Sequence, residues 1–79
     1  MPHYHFNLHE CGAILPDVEG IVLADLAAAR TFAIEAARDV IANEVRNGSL
    51  CLSCHIEVVS GGVPVLTMRF RDALALMGV

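Results

Sequence analysis

The stretch Cys51-Leu52-Ser53-Cys54-His55-Ile56-Glu57-Val58 decides how this chain is read. As a motif, Cys51-x-x-Cys54-His55 matches the attachment site of a c-type haem, and its Cys-x-x-Cys half matches zinc and thiol redox sites. As a pattern, the same residues alternate. Leu52, Cys54, Ile56 and Val58 interleave with Cys51, Ser53, His55 and Glu57. Period two belongs to a strand with one buried face, and residues three apart in a strand project from opposite faces. The pattern therefore predicts Cys54 in the core and Cys51 outside it, where the two sulfurs cannot act together.

Downstream, Ser60-Gly61-Gly62 supplies a turn, and Leu66, Met68 and Phe70 alternate with Val65, Thr67 and Arg69. A three-residue loop from Gly61 to Val63 brings both apolar sets to the same face. Pro64 suits an edge strand. Asp72 is placed to cap a short last helix, Ala73 to Met77. Upstream, Asp25 reads as an N-cap and Gly48 as the stop of a helix from about Leu26 to Asn47. On its wheel Leu26, Ala29, Ala33, Ala36, Ala37 and Val40 share one arc. Ile34, Ile41 and Val45 form a second stripe that could meet the C-terminal segment or another subunit.

The chain opens with a third alternation. Tyr4, Phe6 and Leu8 fall on one face, and His3, His5, Asn7 and His9 on the other. Ala13-Ile14-Leu15 can return beside this strand. Pro16 and Gly20 bracket a turn at Asp17-Val18-Glu19, and Ile21-Val22-Leu23 is a short apolar strand fragment. The expected fold is α+β, in the order β-β-α-β-β with a short terminal helix. One long helix covers one face of an antiparallel sheet, and the other face carries the histidines. Residues 1–79 are read as a single small domain.

Chemistry is weighed on that framework. Haem attachment needs both thiols and the histidine on one flexible or helical segment. Met68, a nominal distal ligand, is in phase with the core, so haem is not expected. A reactive dithiol draws its low pKa from a helix N-terminus or nearby cations, whereas this one follows a predicted helix C-terminus. Zinc is the strongest chemical alternative. His3 and His5 share a strand face, and His55 and Cys51 approach the same patch if the first strand and the strand after the helix are neighbours, with Glu57 nearby. An amide-chelating copper site at the N-terminus is excluded because Pro2 has no N–H. No Ser-His-Asp ordering or glycine-rich phosphate loop is visible, and no catalytic residue is nominated.

Composition bounds the partners. The chain has 79 residues, of which 56% are hydrophobic, and a mean hydropathy of +0.59. A domain this small cannot hide that much apolar surface within itself, which predicts a dimer or larger homo-oligomer. Net charge is −4 with no lysine, and the five arginines are scattered, so binding to a phosphate backbone is not expected. No secretory signal and no membrane span are read, which makes a cytoplasmic location the expectation. There, three cysteines are expected to remain reduced.

Several short motifs run along almost the whole chain. These are Met1-Pro2-His3-Tyr4-His5-Phe6, the turn Asp17-Val18-Glu19-Gly20, the helix start from Leu23 through Asp25 to Ala29-Arg30, and Ile56-Glu57-Val58 followed by Val65-Leu66 and Phe70-Arg71-Asp72-Ala73. In these the chain resembles a family of short bacterial proteins classed as a domain of unknown function. The resemblance implies no activity and carries over no functional residues. The residues themselves point to a non-catalytic interaction or regulatory module that self-associates. Its working surface is expected on the sheet face away from the helix or on the Ile34–Ile41–Val45 stripe. The alternative is a zinc-binding protein using His3, His5, His55 and Cys51.

Overall fold

The computed structural model of the chain describes residues 1–10, 12–48 and 53–76. Its elements are β1 (His3–Glu10), β2 (Ala13–Leu15), β3 (Ile21–Val22), α1 (Leu26–Arg46), β4 (His55–Ser60), β5 (Val63–Arg69) and α2 (Phe70–Leu76). The strands form one antiparallel sheet in the order β2-β1-β4-β5, and β3 pairs with the far end of β1. The expected α+β architecture is present, with the Ile21–Val22 fragment as a strand in its own right.

Alternation places the core. Tyr4, Phe6, Ile56, Val58 and Met68 turn inward from the three long strands and are buried. Ala29, Ala33, Ala37 and Ile41 meet them from α1. An alanine every fourth residue keeps the contacting face of the helix thin, so its axis lies close to the sheet. Val58 and Phe70, fully buried, each contribute about 1.5–3 kcal/mol of transfer free energy. Phe32 closes the upper end of the core with its ring centre 4.6 Å from that of Phe6. At the start of α1, the Asp25 carboxylate accepts from the Ala28 N–H at 2.9 Å, which satisfies one orphan donor of the first turn. Gly48, with φ +78°, follows the C-cap at Asn47.

The structure corrects four local readings. The strand that follows the cysteine motif starts at His55, and Ser53 and Cys54 precede it outside the strand. Both ladders begin there: His55 lies opposite His9 of β1 and Arg69 of β5, and after Arg69 the chain of β5 passes into a helix. Cys54 is nevertheless buried, as its phase predicts, and its carbonyl accepts from the Phe70 N–H at 3.0 Å. Cys51 lies outside the described residues.

The β4–β5 turn has two residues rather than three. Gly61 and Gly62 have φ +61° and +77°, the two positive values a type I′ turn requires. The shorter turn shifts the pairing by one, and a bulge at Val65 shifts it back, so Val58 still faces Leu66 and Ile56 faces Met68. Asp72 sits inside the first turn of α2 instead of capping it, and its carboxylate accepts from Arg69 Nε at 2.9 Å. Finally, the stripe of Ile34, Ile41 and Val45 is divided. Ile41 is buried and Ile34 packs on the core, which leaves Val45 exposed.

Candidate interaction surface and histidine clusters

The helices cover one face of the sheet, and the other is open. Register across β1, β4 and β5 sets His9, His55 and Arg69 in one row and Asn7, Glu57 and Thr67 in the next. The His9 and His55 rings stack with centres 4.4 Å apart and planes 14° from parallel. His9 Nε2 stands 3.6 Å from Glu57 Oε1, too far for a hydrogen bond. A shallow open groove of about 390 Å³ runs beside this pair, with Gly12, Ile14 and Ser53 among its walls.

The other end of β1 is built differently. Between β2 and β3, residues 16–20 lie alongside His5, Phe6 and Asn7, so five residues oppose three and a regular ladder is impossible. Asp17 bridges the gap. Its Oδ2 accepts from the Phe6 N–H at 3.1 Å, its Oδ1 accepts from the Gly20 N–H at 3.0 Å, and its own N–H donates to Asn7 Oδ1 at 2.9 Å. One carboxylate and one amide thus replace the missing backbone bonds. The histidines pin the same loop. His5 Nδ1 lies 2.7 Å from the Asp17 carbonyl oxygen, and His3 Nε2 lies 2.7 Å from that of Glu19. Their ring centres are 4.7 Å apart.

Gly20 makes this packing possible. Its φ is +68°, and a Cβ there would lie 2.6 Å from the Tyr4 carbonyl oxygen, 2.7 Å from His3 Nε2 and 2.9 Å from His5 Nδ1. No side chain fits that space, and the backbone angle disfavours one in any case.

Of the residues the zinc reading selects, His3 and His5 come together. β1 and β4 are neighbours, as that reading requires, but they run antiparallel with His55 opposite His9. His55 is thus four strand positions from His5, on the order of 13 Å along the strand. Cys51 is outside the described residues. Among those residues, no group of three or more His, Cys, Asp or Glu side chains is arranged to hold a metal ion. Sequence reasoning assigned Asp17 to a turn and missed its role as the hub. The available signal was an Asp-x-x-Gly turn beside a strand carrying Asn7.

The sheet has a second edge at β5. This strand pairs with β4 on one side, and among the described residues no strand pairs with the other. Val63 and Val65 are exposed along it, and Val63 to Met68 contains no charged residue. No described helix is long and apolar enough to cross a membrane.

No curated protein and no solved structure matches the chain. A family match does span most of it: on residues 3–71, the chain belongs to the family DUF6894, a domain of unknown function.

Proposed function

We propose that the protein is a small non-catalytic interaction module that self-associates by pairing the open edge of β5 with the same edge of a second copy. One observation carries this reading: a seven-residue strand, uncharged from Val63 to Met68, that among the described residues has a neighbour on one side only. Such an edge presents a row of backbone donors and acceptors to any extended chain. An antiparallel pairing of two β5 strands is isologous, so each copy supplies what the other needs. The hydrophobic fraction of 56% supports the same conclusion, since a chain this short must leave apolar surface outside its own core. Pro64 and the bulge at Val65 blunt the turn-proximal end, which confines pairing to the later part of the strand.

The histidines support a non-catalytic reading. His3 and His5 fasten a loop, and His9 and His55 stack on each other. The protein is expected to work in the cytoplasm, as a regulatory or scaffolding partner.

Light scattering on the full chain at tens of micromolar, where a micromolar dimer persists, is expected to give a mass of at least twice 8.5 kDa. Val65→Lys combined with Thr67→Lys is expected to return the monomer mass with the far-ultraviolet circular dichroism unchanged. A monomeric wild-type chain would refute self-association. An oligomer that survives both lysines would refute the β5 edge as its seat.

A further inference from the structure

Independently of self-association, we propose that His3 and His5 form a two-histidine site for a late first-row divalent ion such as zinc(II), with water completing the coordination shell. The observations are the two loop contacts already described. A backbone carbonyl oxygen only accepts, so the nitrogen 2.7 Å from it must carry the proton. In the neutral rings this fixes His3 as the Nε2–H tautomer and His5 as the Nδ1–H tautomer. His3 Nδ1 and His5 Nε2 are then bare lone pairs. The two nitrogens of an imidazole point in nearly opposed directions, so each lone pair is turned away from the loop that holds the other nitrogen.

Donation of one ring N–H to a backbone carbonyl is the support that metal-binding histidines ordinarily have, because it sets the tautomer, holds the ring and raises the basicity of the other nitrogen. Finding it on one histidine is commonplace. Here two histidines at i and i+2 on one strand face have it, from the same loop, with ring centres 4.7 Å apart. Two imidazoles bound to one ion through nitrogens at about 2.0–2.1 Å have ring centres about 4.5–5.2 Å apart for ligand angles between square-planar and tetrahedral. The observed separation falls inside that range.

Among the described residues, no group of three or more His, Cys, Asp or Glu side chains is placed to add a third side-chain ligand to this pair. The Asp17 carboxylate is already occupied by the Phe6 and Gly20 N–H groups. His55 stacks on His9 at the far end of the strand. Imidazole without thiolate suits zinc, copper(II) and nickel(II) rather than magnesium or calcium.

The test uses the full chain, labelled with nitrogen-15, titrated with zinc chloride at neutral pH and followed through the histidine ring nitrogens by NMR. Without metal, His3 is expected as Nε2–H and His5 as Nδ1–H. Zinc is expected to shift His3 Nδ1 and His5 Nε2 and leave both His9 and His55 in place. By calorimetry, His3→Ala and His5→Ala are each expected to weaken zinc binding by at least about tenfold. His9→Ala with His55→Ala is expected to leave it unchanged. The proposal is overturned if zinc shifts no histidine, if it shifts His9 or His55 instead, or if binding survives the double His3→Ala/His5→Ala variant. The wild-type spectra decide the matter even where a variant folds poorly.

Discussion

β1 and β5 each have a side along which no regular strand runs for their full length, and the two are treated in opposite ways. On β1 the outer side is taken up by β2, the Asp17 loop and β3 in turn, so its backbone groups are met by two short ladders with a carboxylate between them. On β5 nothing among the described residues takes that place. The first edge is closed at the expense of a glycine with φ +68° and a partly buried charge. The second needs no special residues but is left able to pair. Beyond β1 the sheet's edge is thereby reduced to strands of three and two residues, whereas at β5 it presents a strand of seven.

The sealed edge is the place to break the comparison hardest. Asp17→Ala removes the acceptor for two backbone N–H groups and leaves the Phe6 donor without its partner. Charge-assisted bonds of this kind contribute about 1.5–3 kcal/mol each, and an orphaned donor adds to the loss. A loss of roughly 2–4 kcal/mol is expected, against a total stability of roughly 4–12 kcal/mol for a domain of this length. Urea unfolding monitored by circular dichroism measures it. A midpoint within error of wild type would mean that the loop bonds do not hold β1. Asp17→Asn, which retains an acceptor oxygen, is expected to lose less than half as much.

Gly20→Ala attacks the same loop from the other side, and its expected effect is smaller. The new methyl meets the Tyr4 carbonyl oxygen at 2.6 Å, so the loop must move outward, and the backbone angle itself is strained for a side chain. A cost of about 1–3 kcal/mol is expected. Amide exchange sharpens the point: the Phe6 and Gly20 N–H groups should lose protection first, and those of β4 and β5 should hardly change. Uniform loss across the sheet would mean that the sealed edge and the core unfold as one unit.

This contrast also shows how much of the molecule was legible in its sequence. The strands and the long helix follow from two periods, because burial of one face forces period two or 3.6 on the residues that provide it. Asp25 and Gly48 were readable because caps are local chemistry, decided within four residues. The β4–β5 register was readable although its turn was not, since the pairing of Ile56 with Met68 is set by burial while the turn and the bulge at Val65 compensate each other. The start of β4 was misplaced because its described ladders to β1 and β5 begin at His55, and partners are not written in a strand's own residues. The roles of the histidines were hidden for the same reason. His3 and His9 are alike in phase and in chemistry, yet one meets a loop carbonyl 16 residues away and the other meets a ring across the ladder. Only the antiparallel register tells them apart.

The smallest expected effect lies where the sealed edge meets the helix. Glu10, the last residue of β1, is held protonated to higher pH than an ordinary glutamate. The causes are a hydrogen bond with Glu44 of α1, then slight burial, then the negative charge of Glu44 itself. The folded state therefore binds this proton more tightly than the unfolded chain does. Its contribution to stability is fully present below the ordinary glutamate pKa of about 4.3 and is lost as pH rises through the raised folded value. At neutral pH the two carboxylates repel, and the edge is weakest at this corner. Glu44→Gln removes one charge and keeps a hydrogen-bonding group. It is expected to raise stability at pH 7 by roughly a few tenths of a kcal/mol, because solvent screens groups this exposed, and to flatten the fall in stability just above pH 4.3. Paired urea titrations of wild type and variant at pH 4 and pH 7 give the difference of differences. If the variant gains as much at pH 4 as at pH 7, the gain comes from helix propensity rather than from the carboxyl pair, and the sealed edge carries no charge defect at its end.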